Sequence, residues 1–250
     1  MQLTIITGAS RGLGKALAEA LLAPGQLLVC MARSSMSGLE MAAARHGCLL
    51  DARNVNLANV NAGVAALANS IGEVNAATVR SVTLINNAGS VEPLMPAERL
   101  KPEEVTSTLA LNLATPIALT SAFLRLTADW PVPRKVLNIS SGSAHNAFRG
   151  WSVYAATKAG LDQFSRCVAL EQQVRPNGAR IVSLAPGVID TAMQEVLRSV
   201  TPEEFGEQPR MVVAKASGGL LAPAVVASRI LAYLQRPDYG EQVVVDLRQI

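Results

Sequence analysis

The chain has 250 residues, 50% of them hydrophobic and only 16% charged, with a mean hydropathy of +0.27. That excludes a disordered chain, which needs low hydrophobicity and high charge, and a small disulfide scaffold, which needs many cysteines in a short sequence. Lys and Arg total 22 against 19 Asp and Glu, a net +3 spread singly along the chain, so the clustered basic footprint of a nucleic-acid binder is missing. In chain order, strand-like runs are expected at Leu3 to Thr7, Leu27 to Met31, Leu50 to Val55, Val82 to Asn86, Lys135 to Ser140, Arg180 to Leu184 and Gln242 to Asp246. Apolar runs such as Leu27 to Ala32 have the length of a strand covered on both faces, far short of the ~18 residues of a bilayer span. Between the strands, apolar residues recur at three and four positions over Leu13 to Leu22, Val60 to Ile71, Val105 to Leu126, Ser152 to Gln173 and Pro223 to Leu234. The alternation predicts right-handed βαβ units and a Rossmann-like, doubly wound parallel sheet of seven strands with helices on both faces, in one domain spanning residues 1–250.

One long stretch, about 188–222, has mixed character and carries Pro202, Gly206, Pro209 and Gly218-Gly219. It reads either as a lid over a site or as a helical hairpin packed on the sheet edge. Its apolar members Met193, Leu197, Phe205, Met211 and Val212 suit closure over a hydrophobic carbonyl compound. Cys30, Cys48 and Cys167 form no Cys-x-x-Cys and read as reduced, buried thiols. His46 and His145 lack ligand spacing, so no metal site is expected. The start, Met1 to Gly8, has neither a basic flank nor a cleavable apolar stretch, which predicts a cytoplasmic location without membrane attachment.

The first strand runs into Thr7-Gly8-Ala9-Ser10-Arg11-Gly12-Leu13-Gly14, where a helical pattern begins. Gly8 suits a tight turn, Gly12 lets backbone N–H groups approach a pyrophosphate, and Gly14 allows close packing of helix on sheet. After the second strand an Asp or Glu would meet the ribose 2′-hydroxyl of NAD, but the sequence there is Ala32-Arg33-Ser34. With Arg11, the Arg33 guanidinium suits a 2′-phosphate, so NADPH/NADP+ is the expected cofactor and no acidic partner competes.

Tyr154-x-x-x-Lys158 puts a phenol and an ammonium on one helix face. With three tyrosines in the chain, about 0.06 chance occurrences are expected. The ammonium should favour the phenolate and lower the tyrosine pKa. Ser141 ends the fifth strand, at the carboxyl edge where doubly wound sheets bind ligands.

These motifs, in order, resemble the short-chain dehydrogenase/reductase family over essentially the whole length: Thr7-Gly8-x-x-x-Gly12-x-Gly14, Asn86-Asn87-Ala88-Gly89, Asn112, Ser141, Tyr154-x-x-x-Lys158, and Pro186-Gly187 followed by Thr191. The resemblance implies that Tyr154 protonates a carbonyl oxygen, Ser141 hydrogen-bonds it, Lys158 holds the nicotinamide ribose, and Asn112 supports a relay water. It further implies that Asn87, Ala88 and Gly89 line the cofactor while Ile189 and Thr191 hold the carboxamide. The family's usual Asp after the third strand is replaced in Val55-Asn56-Leu57; Asn56 keeps an acceptor for the adenine amine, with Asp51 as the other reading.

Phe148 to Tyr154 and Pro186 to Gln194 are similar to the sepiapterin reductase and bacterial benzil reductase members of the family. By that likeness Asp246 either anchors a pterin edge or is a strand-end residue facing solvent. Phe148 and Trp151 are either pocket wall or core, and His145 belongs to the pocket or to a surface loop. The implied activity is hydride transfer to a ketone, diketone or pterin side-chain carbonyl. The rivals are a 3-oxoacyl thioester reductase and a non-catalytic NADP(H)-sensing protein. Relatives assemble as homodimers or homotetramers, often through the two long helices.

Overall fold

A computed structural model describes residues 1–250. Seven strands, β1 (Gln2–Thr7), β2 (Gln26–Ala32), β3 (Leu49–Asn54), β4 (Ser81–Asn86), β5 (Arg134–Ile139), β6 (Arg180–Ala185) and β7 (Val244–Asp246), form one parallel sheet in the order β3-β2-β1-β4-β5-β6-β7. The strand order reverses between β1 and β4, which opens a crevice at their carboxyl ends. Helices α1 (Gly12–Ala20), α2 (Ser37–Arg45), α3 (Val60–Gly72), α4 (Pro102–Leu109), α5 (Thr115–Leu126), α6 (Ser152–Gln173), α7 (Ala192–Ser199), α8 (Gln208–Ala216) and α9 (Pro223–Leu234) complete the chain.

Side-chain alternation explains why the central strands carry apolar residues on both faces. On β1, Ile6 joins the core beneath α1 and α9 while Leu3 and Ile5 join the opposite core beneath α3, α5 and α6. Leu137 and Val136 divide in the same way on β5, and Val182 and Ile181 on β6. Each such side chain contributes about 1.5–3 kcal/mol when fully buried, so two cores flank one sheet. Polar groups also anchor the second face: Asn86 donates to Asn138 (2.8 Å) and Thr120 (3.1 Å), and Asn138 donates to Ser165 (2.9 Å). This buried chain fixes α5 and α6 on β4 and β5.

The predicted strands and the boundaries of α6 and α9 match the structure. Helix α2, whose apolar repeat is short and rich in alanine, was not foreseen. The single long helix expected from Val105 to Leu126 contains a π-helical turn at Ala110–Ala114. Pro102–Leu126 is long and apolar enough to span a bilayer by composition, but its buried residues Leu119, Ala122 and Phe123 belong to the core against the sheet. The stretch 188–222 contains α7 and α8, joined by turns. Its ends pair with each other: Leu221 N donates to Val188 O (3.1 Å) and Asp190 N to Leu221 O (2.9 Å). Cys30 and Cys48 are buried as expected, but Cys167 is exposed on α6, because it falls on that helix's outer face.

Candidate active site

A cavity of about 910 Å³ opens along the carboxyl ends of β1, β2, β4, β5 and β6, between the sheet and α7–α8. The glycine loop forms one end. Gly8 and Gly12 have φ of 71° and 57°, left-handed values that glycine adopts without strain. A methyl group at Gly14 would lie 2.2 Å from Gly8 O and 2.4 Å from Asn87 Nδ2, so only glycine lets α1 start this close to β1. Thr7 ties the loop to β4: its Oγ1 accepts from Asn87 N (2.9 Å) and Ala88 N (3.0 Å), and Asn87 Nδ2 donates to Thr7 O (2.9 Å). Across the cavity, Thr191 Cγ2 stands 3.3 Å from the space a Gly12 methyl would take.

This cradle fits a dinucleotide. Gly8, Ser10, Arg11, Gly12, Leu13, Arg33 and Ser34 line it on one side, Leu57, Asn87, Ala88 and Gly89 in the middle, and Pro186, Gly187, Ile189 and Thr191 opposite. No carboxylate stands at the end of β2, where Ala32 and Arg33 line the wall. Asn56 is not part of the lining. It is exposed, and its Oδ1 accepts from Ala58 N (3.1 Å) in a turn. Asp51 is turned away on β3, accepting from Ser70 (2.6 Å) and pairing with Arg53 (2.6 Å).

At the closed end Ser141, Tyr154 and Lys158 meet. Ser141 follows β5, its Oγ accepts from Ser143 N (3.2 Å), and it lines the same cavity as Tyr154. Tyr154 and Lys158 lie on successive turns of α6, both buried. The expected lowering of the tyrosine pKa is corrected by the structure: burial pushes Tyr154 up to about 12, with the nearby Ser141 side chain pulling the other way. The Lys158 ammonium sits 5.6 Å from the ring centroid and donates to Ile139 O (2.7 Å). Burial brings Lys158 down to about 8, opposed by the negative charge of Asp162 one turn further on. Desolvation is the largest effect on both groups, and it favours the neutral phenol.

Asn112 occupies the π-helical turn and is buried. Its Oδ1 accepts from Ser90 N (2.9 Å) and its Nδ2 donates to Ser90 O (2.7 Å), which fastens the loop after β4. Asn112 Oδ1 and Lys158 Nζ approach the same space, 3.3 and 3.9 Å from where a Gly89 methyl would be.

Phe148, Trp151 and Met193 line the cavity with Phe205 and Met211. Asp246 does not line it. Both its oxygens accept from Arg248, at 2.9 Å to Nε and 2.5 Å to Nη2, and this pairing holds its carboxyl below the usual range. Arg248, absent from the sequence-based candidates, lines the cavity instead. Charge at the chain's end was its only signal. His145 lies outside the cavity lining: half-exposed, it reaches the buried Asp162 at 3.1 Å. Asp162 also accepts from Ser183 (2.6 Å).

A glycine-lined dinucleotide cradle leading to a Ser, Tyr and Lys set on a doubly wound sheet defines a nicotinamide-dependent oxidoreductase acting on carbonyl or alcohol groups. Residues 2–201 match the short chain dehydrogenase family, and the chain belongs to it. It is 37% identical to a Bacillus cereus benzil reductase ((S)-benzoin forming) over 98% of this chain and 100% of that one. A Xenopus tropicalis sepiapterin reductase is 32% identical over 95% and 92% of the two chains. Among solved structures, the KRED1-Pglu enzyme superposes with a TM-score of 0.81 at 25% identity, covering 97% of this chain and 99% of that one.

Proposed function

We propose that this protein is an NADPH-dependent carbonyl reductase that reduces an apolar ketone or vicinal diketone, with Tyr154 as the proton donor. The observation that carries the reading is the placement of the buried Tyr154 phenol beside Ser141 and Lys158 on the lining of the cavity, where burial favours its neutral form. A phenol held neutral at working pH is a general acid, and reduction of a carbonyl consumes a proton. The nicotinamide, when bound, supplies the hydride. Ser141 would donate to the carbonyl oxygen beside Tyr154. Lys158, charged below about pH 8, would hold the ribose and stabilise the developing negative charge. Asn112 keeps a second lone pair on Oδ1 with which to hold a relay water beside Lys158. Arg11 and Arg33, with no carboxylate facing them at the end of β2, favour a 2′-phosphate.

An apolar diketone is favoured over a pterin because Arg248 occupies both oxygens of Asp246. The stretch 188–222, pinned at its base, would act as the lid that excludes water. Exposed Leu109, Leu170 and Val174 support assembly into a homodimer or homotetramer through the long helices. The free cysteines suit a cytoplasmic setting.

The test is NADPH oxidation against aromatic diketones, ketones, quinones, pterins and acetoacetyl thioesters, with Tyr154→Phe as control. Diketones should turn over fastest, and Tyr154→Phe should lower kcat by about 10²–10⁴-fold, the usual worth of a general acid. Preference for acetoacetyl thioesters would support a 3-oxoacyl thioester reductase instead, and undiminished turnover by Tyr154→Phe would remove the proton-donor assignment.

A further inference from the structure

We propose that Trp151 is a positioning residue that couples the 188–222 segment to the Tyr154 ring; this rests on the reading of Tyr154 as proton donor. Trp151 immediately precedes α6, and its indole lies nearly parallel to the Tyr154 ring, with centroids 4.5 Å apart and 16° between planes. The Trp151 Nε1 donates to Val91 O (3.2 Å), so the indole is held at its edge as well as by its face. A phenol on two rotatable bonds swings its oxygen by several ångströms unless the ring is clamped. Trp151 supplies the clamp.

Two further rings pack on the same indole. Phe205, fully buried, packs edge-on at 5.0 Å between centroids, and Phe148 lies at 5.9 Å. The turn that carries Phe205 is latched to the residues just before Trp151: Gly206 N donates to Arg149 O (3.1 Å), and Arg149 Nη2 donates to Pro202 O (2.7 Å). Gly150, at φ 82°, has its missing side chain replaced by that turn, since a methyl there would lie 1.7 Å from Glu204 O. Gly150 O in turn accepts from Met95 N (3.0 Å). Displacement of the 201–206 turn would remove Phe205 from Trp151 and free the indole that covers the Tyr154 ring to shift.

The test compares Trp151→Leu, Trp151→Phe and Phe205→Leu, each checked for a cooperative thermal transition. In turnover of any reducible carbonyl, Trp151→Leu should lower kcat by about tenfold or more with a smaller change in KM, and Trp151→Phe should restore most of it. A second measurement needs no turnover. All three tyrosines, Tyr154, Tyr233 and Tyr239, are raised above their ordinary value near 10. Ultraviolet difference titration should therefore show a phenol ionising at lower pH in Trp151→Leu than in the unmodified protein, and the added Tyr154→Phe change should remove it. Phe205→Leu should shift the same ionisation in the same direction. The proposal is overturned if Trp151→Leu and Trp151→Phe raise KM alike at unchanged kcat, or if Tyr154 ionises as in the unmodified protein in the Leu variants. Because the titration is independent of substrate, a protein that reduces none of the carbonyl panel still answers it.

Discussion

Replacement of Gly14 by alanine sets helix propensity against packing. In an α-helix Ala is favoured over Gly by about 0.8–1.0 kcal/mol, so local preference alone predicts a more stable protein. The methyl group would sit 2.2 Å from Gly8 O and 2.4 Å from Asn87 Nδ2, and the first of these is backbone that cannot rotate away. Overpacking of this kind costs about 1–3 kcal/mol. Displacing Asn87 from Thr7 O sacrifices a further hydrogen bond of about 0.5–1.5 kcal/mol. The net expectation is a loss of about 1–3 kcal/mol, or a fall in Tm of roughly 2–12 °C for a chain of this size. Because the disturbed atoms form the cradle, the Kd for NADPH should also rise about tenfold or more. Gly38, in the first turn of α2, has nothing within 4 Å of a would-be methyl, so Gly38→Ala should leave Tm unchanged or raise it slightly. Thermal unfolding and fluorescence titration with NADPH measure both variants. A Gly14→Ala protein as stable as Gly38→Ala, with unaltered NADPH affinity, would refute the packing argument.

Lys158 loses its proton as pH rises through about 8, so kcat should fall on the alkaline side. Asp162→Asn removes the negative charge that opposes the burial of Lys158, and the pH–rate profile should show this limb moved to lower pH while its acid side stays in place. Arg33→Ala should weaken NADPH about tenfold or more in steady-state KM and leave NADH little changed, since a lost charge-assisted contact to phosphate is worth about 1.5–3 kcal/mol.

Much of this fold is legible in local pattern. Apolar runs of strand length mark the central strands, and Ser152 to Gln173 shows helical periodicity over its whole extent, because alternation and a 3.6-residue repeat are one-dimensional consequences of burial. The 188–222 segment is legible in its limits and in the helical-hairpin alternative: its ends fall where Val188 and Leu221 pair, but the bounds of α7 and α8 and their place along the cavity are hidden by their mixed composition. The π-helical turn at Asn112 is invisible, since its side chain pairs with Ser90 of the loop after β4, 22 residues back in sequence.

The sequence by itself determined the chemistry on offer: a glycine loop without a following acid, a serine at a strand end, and a tyrosine and lysine one turn apart. These are properties of residue type and short spacing. The tertiary structure alone decided how those groups behave. Burial, which no spacing encodes, raised the Tyr154 pKa where adjacency to Lys158 argued the reverse. A contact two residues along the chain turned Asp246 to Arg248 and away from the cavity. The stacking of Trp151 on Tyr154, with Phe205 packed on Trp151 from 54 residues away in sequence, exists only because the chain returns over its own active site.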